Sequence, residues 1–220
     1  MIIGTVGAGY WGKNIIRTFQ GLKNVRLKYI SDSDPKILGR YAGDTGTILT
    51  SDYKEICSDT EVDAVSIATP PVSHFDIAKT ALLAGKHVFI EKPMTLSMKH
   101  SEELVDIAEK KGLKLMVGHL LLYHPCIETI KEYIKNGEIG DLYYLYSQRL
   151  NLGKVRSDEN ALLSLAPHDI SVAIYLMGDN PVSVSACGHG YLQKDIEDVV
   201  FLSMTFPGGK VANVHVSWLD

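Results

Sequence analysis

Residues 2–12 read Ile2-Ile3-Gly4-Thr5-Val6-Gly7-Ala8-Gly9-Tyr10-Trp11-Gly12, and their order decides the fold. Ile2 to Val6 is a short run of β-formers. A turn of three glycines follows at once, and Ile15, Ile16 and Phe19 then recur at helical spacing up to Gly21. Strand, glycine turn and helix in direct succession suit the binding of a dinucleotide. Gly7 permits the tight turn, Gly9 lets the backbone approach a pyrophosphate, and Gly12 lets the helix pack against the strand. The helix start adds unpaired N–H groups and the positive end of its dipole. Tyr10 and Trp11 lie inside the turn and are taken with it as cofactor-facing.

Glycine turns also serve plain β-to-α connections, so position matters more than composition. Val25 to Ile30 reads as a second strand, and Asp32 stands just past its end, about twenty residues beyond Gly12. A carboxylate there accepts the ribose hydroxyls of an adenosine and repels a 2′-phosphate. NAD is therefore expected in preference to NADP, and the neighbours Ser33 and Asp34 supply no arginine to reverse that choice. Asp34-Pro35 itself reads as a helix start.

The alternation continues outward from this unit. Strands are expected at 47–49, 64–68, 87–90 and 115–117, with helices ending near Cys57, over 75–83 and over 98–111, and with Gly85 and Gly112 closing the last two. Near-continuous apolar strands separated by helices imply a doubly wound parallel sheet of Rossmann type. Ligands bind beyond the carboxyl ends of such strands, where Thr69-Pro70-Pro71 and Glu91-Lys92-Pro93 fall.

Past residue 120 the pattern changes. A helix over 125–136 leads to a tyrosine-rich strand over 142–150, a polar loop over 153–160 and a helix over 170–177. Three β-runs follow, at 182–186, 199–206 and 211–218, the last two joined by the turn Pro207-Gly208-Gly209-Lys210. The expected organisation is a Rossmann domain over residues 1–120 and an α+β domain over 121–220 with an open, mainly antiparallel sheet.

Composition narrows the function classes. The chain has 220 residues, 45% hydrophobic and 22% charged, with a net charge of −4. No cluster of lysine and arginine offers itself to nucleic acid. The N-terminus lacks a basic leader and its apolar run is broken by glycine, so neither a signal peptide nor a membrane span is expected, and the cytoplasm is the default location. Cys57, Cys126 and Cys187 are far apart and without metal-ligand spacing; they read as buried small hydrophobes, with no disulfide and no metal site.

Val88 to Ile90 delivers Glu91, Lys92 and Pro93 to a strand end. On spacing alone Lys92 is either a solvated loop residue or a group whose charge or proton is used, since burying an idle ammonium is costly. The company it keeps resolves this. GTVGAGYWGKN at 4–14, DAVSIATPPVSH at 63–74, AGKHVFIEKP at 84–93 and APHDIS at 166–171 resemble the Gfo/Idh/MocA oxidoreductases, across essentially the whole chain. GHLLLYHP at 118–125 and GEIGDLYYLYSQRLNLG at 137–153 look like the branch acting on nucleotide-linked sugars, notably the 3-dehydrogenases of UDP-N-acetylglucosaminuronic acid.

The resemblance implies a site residue by residue. Gly7, Gly9 and Gly12 form the phosphate turn, Asp32 is the ribose acceptor, and Thr69, Pro70 and His74 belong to the cofactor wall. Glu91 touches the nicotinamide side, Lys92 sits over the reacting carbon as both a cofactor-side residue and the catalytic base or relay, and His168 matches the histidine that shares the reacting oxygen. Tyr123, Ser164 and Asp169 are substrate-side candidates; packing is the alternative for Tyr123, and capping of the helix start for Asp169. Tyr143, Tyr144 and Tyr146 alternate on a strand and suit sheet packing or a subunit interface, and the family's habit of association implies a homo-oligomer.

Two departures stand out. Relatives carry an aspartate four residues before the histidine, preceded by a tryptophan in the sugar-nucleotide branch; here those positions hold Ser164 and Leu163. Relatives also continue further, so the second domain is expected to be C-terminally short, with 211–218 as an apolar edge strand. The implied function is hydride transfer between NAD and a sugar secondary alcohol. The alternatives are an NAD-binding regulatory or impaired member, or a dehydrogenase of a free sugar or inositol.

Overall fold

A computed structural model describes residues 1–43, 46–152, 155 and 159–220. They divide into two compact units, Met1–Gly118 and His119–Asp220.

The first unit alternates strand and helix throughout: β1 (Ile2–Val6), α1 (Gly12–Gly21), β2 (Arg26–Ser31), α2 (Pro35–Leu38), β3 (Ile48–Thr50), α3 (Tyr53–Ser58), β4 (Ala64–Ile67), α4 (His74–Leu83), β5 (His87–Ile90), α5 (Met98–Lys111) and β6 (Leu115–Val117). All six strands are parallel, in the order β3-β2-β1-β4-β5-β6. β1 and β4 are therefore where the winding reverses, which in such sheets opens a crevice at the carboxyl ends. Apolar residues line both faces. Ile56, Ile77, Ala81, Leu82 and Leu104 from α3, α4 and α5 cover Val65, Ile67, Val88 and Ile90 on one side. Ile16 of α1 meets Ala8, Leu27 and Ile30 on the other. Each fully buried Ile or Leu here contributes about 1.5–3 kcal/mol.

Helix ends follow the local chemistry. Asp34 and Asp52 accept the N–H groups of Lys36 and Lys54 at 2.8 and 2.9 Å, capping α2 and α3. Gly112, in the left-handed region, closes α5.

The second unit contains α6 (Pro125–Lys135), β7 (Tyr144–Leu150), α7 (Ala161–Met177), β8 (Ser183–His189), β9 (Val199–Thr205) and β10 (Val211–Ser217). Its sheet runs β7-β10-β9-β8; β8, β9 and β10 form an antiparallel meander and β7 joins β10 in parallel. The β9–β10 hairpin turns through Gly208 and Gly209, whose φ values of 74° and 78° suit glycine. Ala161, Ala166, Ala173 and Met177 of α7 pack on Val200, Met204, Ala212, Val214 and Trp218. Lys131 of α6 caps the far end of α7, donating to the Tyr175 carbonyl at 2.7 Å.

Three expectations are corrected here. Helix α7 begins at Ala161 instead of residue 170, with Asn160 as its cap, accepting from the Leu163 N–H at 3.0 Å. Pro167 sits inside it and forgoes one backbone hydrogen bond, which the burial of the alanine face outweighs. β10 is an interior strand, and the edges are β7 and β8, every residue of β8 being exposed. Cys57 is buried as expected, whereas Cys126 at the start of α6 and Cys187 on β8 are exposed, because neither element is covered there; all three are free thiols. The polar loop expected over 153–160 lies mostly outside the described residues. Among the described residues no helix is long and apolar enough to cross a membrane.

Candidate active site

The glycine turn folds as its residues dictate. Gly7 has φ +91°, and a Cβ built there would lie 2.6 Å from the Ala68 carbonyl carbon. A Cβ on Gly12 would lie 2.0 Å from the Gly7 carbonyl oxygen, so α1 sits directly on the turn. Around Gly9, by contrast, a Cβ would meet nothing within 4 Å. Two glycines are thus required by the protein's own backbone, and the third borders open space.

Asp32 lies just beyond β2. Its Oδ2 accepts the Ala8 N–H of the glycine turn at 2.8 Å and its Oδ1 accepts the Asp34 N–H at 2.9 Å. A carboxylate offers about four acceptor positions, so two remain for hydroxyl donors. Tyr10 is largely exposed, with the Lys13 ammonium 5.0 Å from its ring centre.

At the ends of β4 and β5 the groups converge on Lys92. His74, at the start of α4, is fully buried; its Nε2 lies 2.9 Å from the Thr69 carbonyl oxygen and its Nδ1 2.9 Å from that of Pro93. The Thr69 hydroxyl accepts from Ser73 at 2.8 Å, and Pro70 leads into the turn Pro71–Ser73. Trp11 donates its indole N–H to Glu91 Oε1 at 2.7 Å, and the Lys92 N–H lies 3.4 Å from Glu91 Oε2. Lys92 is half-buried at the carboxyl end of β5, and the Lys92–Pro93 peptide is cis. The expected cofactor residues of the first unit are therefore gathered along one end of its sheet, from β2 to β5.

The second unit sorts its candidates differently. Ser164 and His168 are one turn apart on α7, Ser164 buried and His168 half-buried. The short turn Leu120–Tyr123 packs against α7, with the Tyr123 side chain exposed. Asp169 is buried on another side of the helix. It receives Arg149 Nε at 2.6 Å, Arg149 Nη2 at 3.2 Å and the Ser147 hydroxyl at 2.5 Å, all from β7. As the ninth residue of α7 it caps nothing, so the capping alternative does not hold. His119 opens the unit with its Nδ1 buried and without a hydrogen-bond partner, and burial holds its imidazole below the usual value.

Three functional details escape the sequence. Arg149 was invisible as the partner of Asp169, twenty residues away. Gly118 was invisible as the space for Glu91, whose carboxylate oxygen would lie 3.0 Å from a Cβ there. The Trp11–Glu91 bond spans eighty residues and has no local signature.

Comparison with known proteins now assigns the class. Residues 1–119 match the profile described as "Oxidoreductase family, NAD-binding Rossmann fold", and residues 127–220 match the Gfo/Idh/MocA C-terminal domain. The chain belongs to the Gfo/Idh/MocA oxidoreductase family, and its first unit is an NAD-binding Rossmann fold. Over 158 residues it is 38% identical to the UDP-N-acetylglucosamine 3-dehydrogenase of Acidithiobacillus ferrooxidans, covering 71% of this chain and 49% of that protein. It is 28% identical to inositol 2-dehydrogenase 2 of Saccharopolyspora erythraea, covering 98% and 66% respectively. The crystal structure of an NAD-binding protein from Listeria innocua superposes on all of this chain and 67% of that one, with a TM-score of 0.91 at 26% identity. The chain spans about half to two thirds of the length of the curated relatives it matches.

The residues fit NAD on the structure's own terms. The free space at Gly9, a helix start at α1 that no side chain caps and the spare acceptor positions on Asp32 match a pyrophosphate followed by a ribose diol.

Proposed function

We propose that this chain serves an NAD-dependent dehydrogenase that moves a hydride between a secondary alcohol of a sugar, carried on a nucleotide, and the nicotinamide. The observation that carries the proposal is Lys92 at the end of β5, inside an NAD-binding unit and two strands along the sheet from the glycine turn. The 38% identity to a UDP-N-acetylglucosamine 3-dehydrogenase supports the substrate class.

The nicotinamide supplies the hydride acceptor. In the oxidative direction Lys92 takes the hydroxyl proton as the C–H bond breaks, since the developing alkoxide is otherwise unsupported. In the second unit, His168, Tyr123 and Ser164 are the proposed substrate-side residues, as the family resemblance implies. Asp32 accepts the ribose hydroxyls and disfavours a 2′-phosphate.

A second function, NAD binding without turnover, draws on Ser164. It is buried on α7 at the position where the family resemblance implies an aspartate, and it brings a hydroxyl and no charge. Binding of NAD and NADP, measured with NADH formation across UDP-sugars, inositols and free sugars, separates the functions. The expected result is NAD bound at least about tenfold more tightly than NADP, with NADH formed from a UDP-sugar. Tight NAD binding with no turnover on any substrate would sink the dehydrogenase in favour of the regulator, and turnover on inositols alone would replace the substrate.

We also propose a homo-oligomer through the outer face of the second sheet. Its four cross-strand rows include Tyr144, Tyr146, Phe201 and His215, and none of the sixteen positions is Asp, Glu, Lys or Arg. Phe201 and His215 stack at 4.3 Å. An uncharged face meets its own copy without like-charge repulsion. Sedimentation should give more than the mass of one chain, and Phe201→Asp should return it to one; a wild-type chain that sediments as a monomer at all concentrations contradicts the proposal.

A further inference from the structure

Lys92 has one neighbour in the chain on each side, and each is held by a residue from a distant part of the first unit. On one side, the Glu91 carboxylate receives the Trp11 indole N–H at 2.7 Å. Trp11 stands where the glycine turn enters α1 and makes no capping bond of its own, so its side chain is committed across the sheet end to β5. Gly118, after β6, leaves the space the carboxylate fills. On the other side, the Pro93 carbonyl lies 2.9 Å from His74 Nδ1, and the opposite nitrogen of that ring lies 2.9 Å from the Thr69 carbonyl at the end of β4. His74 is fully buried, and because a neutral ring carries one N–H it donates to one of these carbonyls; with that proton on Nδ1 it holds Pro93.

We infer that Trp11 and His74 are positioning residues for Lys92, acting through Glu91 and Pro93. The inference rests on the catalytic role proposed for Lys92 and adds to what the sequence suggests for both residues. A long lysine side chain has several rotatable bonds, and its ammonium is only as well placed as the backbone from which it starts. Anchors on both flanking residues, drawn from the β1 turn and from α4, fix that start. The glycine turn that receives the dinucleotide is thereby tied mechanically to the residue that handles the proton. The arrangement also gives the Glu91 carboxylate a fixed orientation.

Misplacement of a reacting group by about 1 Å costs up to about a hundredfold in rate. Trp11→Phe keeps the ring and removes the donor. It should lower kcat by about tenfold or more while leaving the NAD dissociation constant within about threefold, because the groups proposed to hold NAD are untouched. His74→Leu should show the same split, and His74→Gln, which keeps a donor of similar length, should recover part of the lost kcat.

Two readouts need no turnover. The chain has only two tryptophans, Trp11 and Trp218, so its ¹H–¹⁵N spectrum holds two indole signals. Glu91→Gln should move the Trp11 signal and leave that of Trp218 in place. Hydrogen exchange across residues 91–95 should quicken by at least about tenfold in Trp11→Phe as the segment loosens. A Trp11 signal indifferent to Glu91→Gln, unchanged exchange in the variant, or NAD affinity falling in step with kcat would each overturn the inference. Failure of the dehydrogenase proposal reads differently: the wild-type protein binds NAD and turns over nothing, while the indole and exchange responses persist.

Discussion

Lys92→Ala is expected to lower turnover by at least about a hundredfold while NAD affinity stays within about threefold of the wild-type value. The ammonium is the only part of the side chain that can exchange a proton with a sugar hydroxyl, and alanine removes it with the stem. Lys92 is half-buried and projects from the end of β5, whereas the groups that fit the cofactor's phosphates and ribose belong to the glycine turn and β2. The loss should therefore fall on kcat and spare binding. Lys92→Arg should be nearly as slow, because a guanidinium keeps its charge and cannot act as the base near neutral pH. Single-turnover reduction of NAD with saturating substrate measures the chemical step directly, and full turnover in Lys92→Ala would remove Lys92 from the mechanism.

Gly12→Ala and Gly9→Ala should fail in opposite ways, although the two glycines are three residues apart. At Gly12 the new methyl would lie 2.0 Å from the Gly7 carbonyl oxygen and 2.8 Å from its carbon. Neither atom can rotate away, since both are backbone in a turn already placed by the Gly7 N–H bond to the Ser31 carbonyl at 2.8 Å. Helix α1 must lift from the sheet, at a cost of at least about 3 kcal/mol, and a clear fall in melting temperature follows. At Gly9 a methyl meets no protein atom within 4 Å. That variant should melt at or slightly above the wild-type temperature, since alanine restricts the unfolded chain. Its methyl would occupy the space proposed for the pyrophosphate, and NAD affinity should fall by at least about tenfold. Calorimetric melting with and without NAD checks both; a Gly9→Ala protein that binds NAD normally would move the phosphate site away from this turn.

Much of the first unit was legible because its signals are local. A strand, a glycine turn and a helix follow one another within twenty residues, and each glycine's task depends on atoms close by in the chain or on the adjoining strand. Asp34, Asp52 and Gly112 likewise cap helices with neighbouring atoms. The second unit was less legible. Pro167 obscured the first nine residues of α7, and with them the true setting of His168 and Asp169, because a proline's local cost is visible in sequence and the compensating burial of Ala161, Ala166 and Ala173 is not. Residues 211–217 looked like an exposed edge because they come last in the chain, yet strand order is set by pairing, and β7 returns to cover that side.

The sequence alone determined the alternation of strands and helices, the dinucleotide turn, the carboxylate at Asp32 and the delivery of Lys92 to a strand end, since periodicity and nearby stereochemistry settle each of them. Only the tertiary structure decided which residues hold the others: Trp11 on Glu91, His74 between Thr69 and Pro93, Gly118 beside Glu91, and Arg149 on Asp169. These contacts join groups five to eighty residues apart. Their geometry depends on strand order and helix placement, which short-range patterns of hydrophobicity and turn chemistry do not encode.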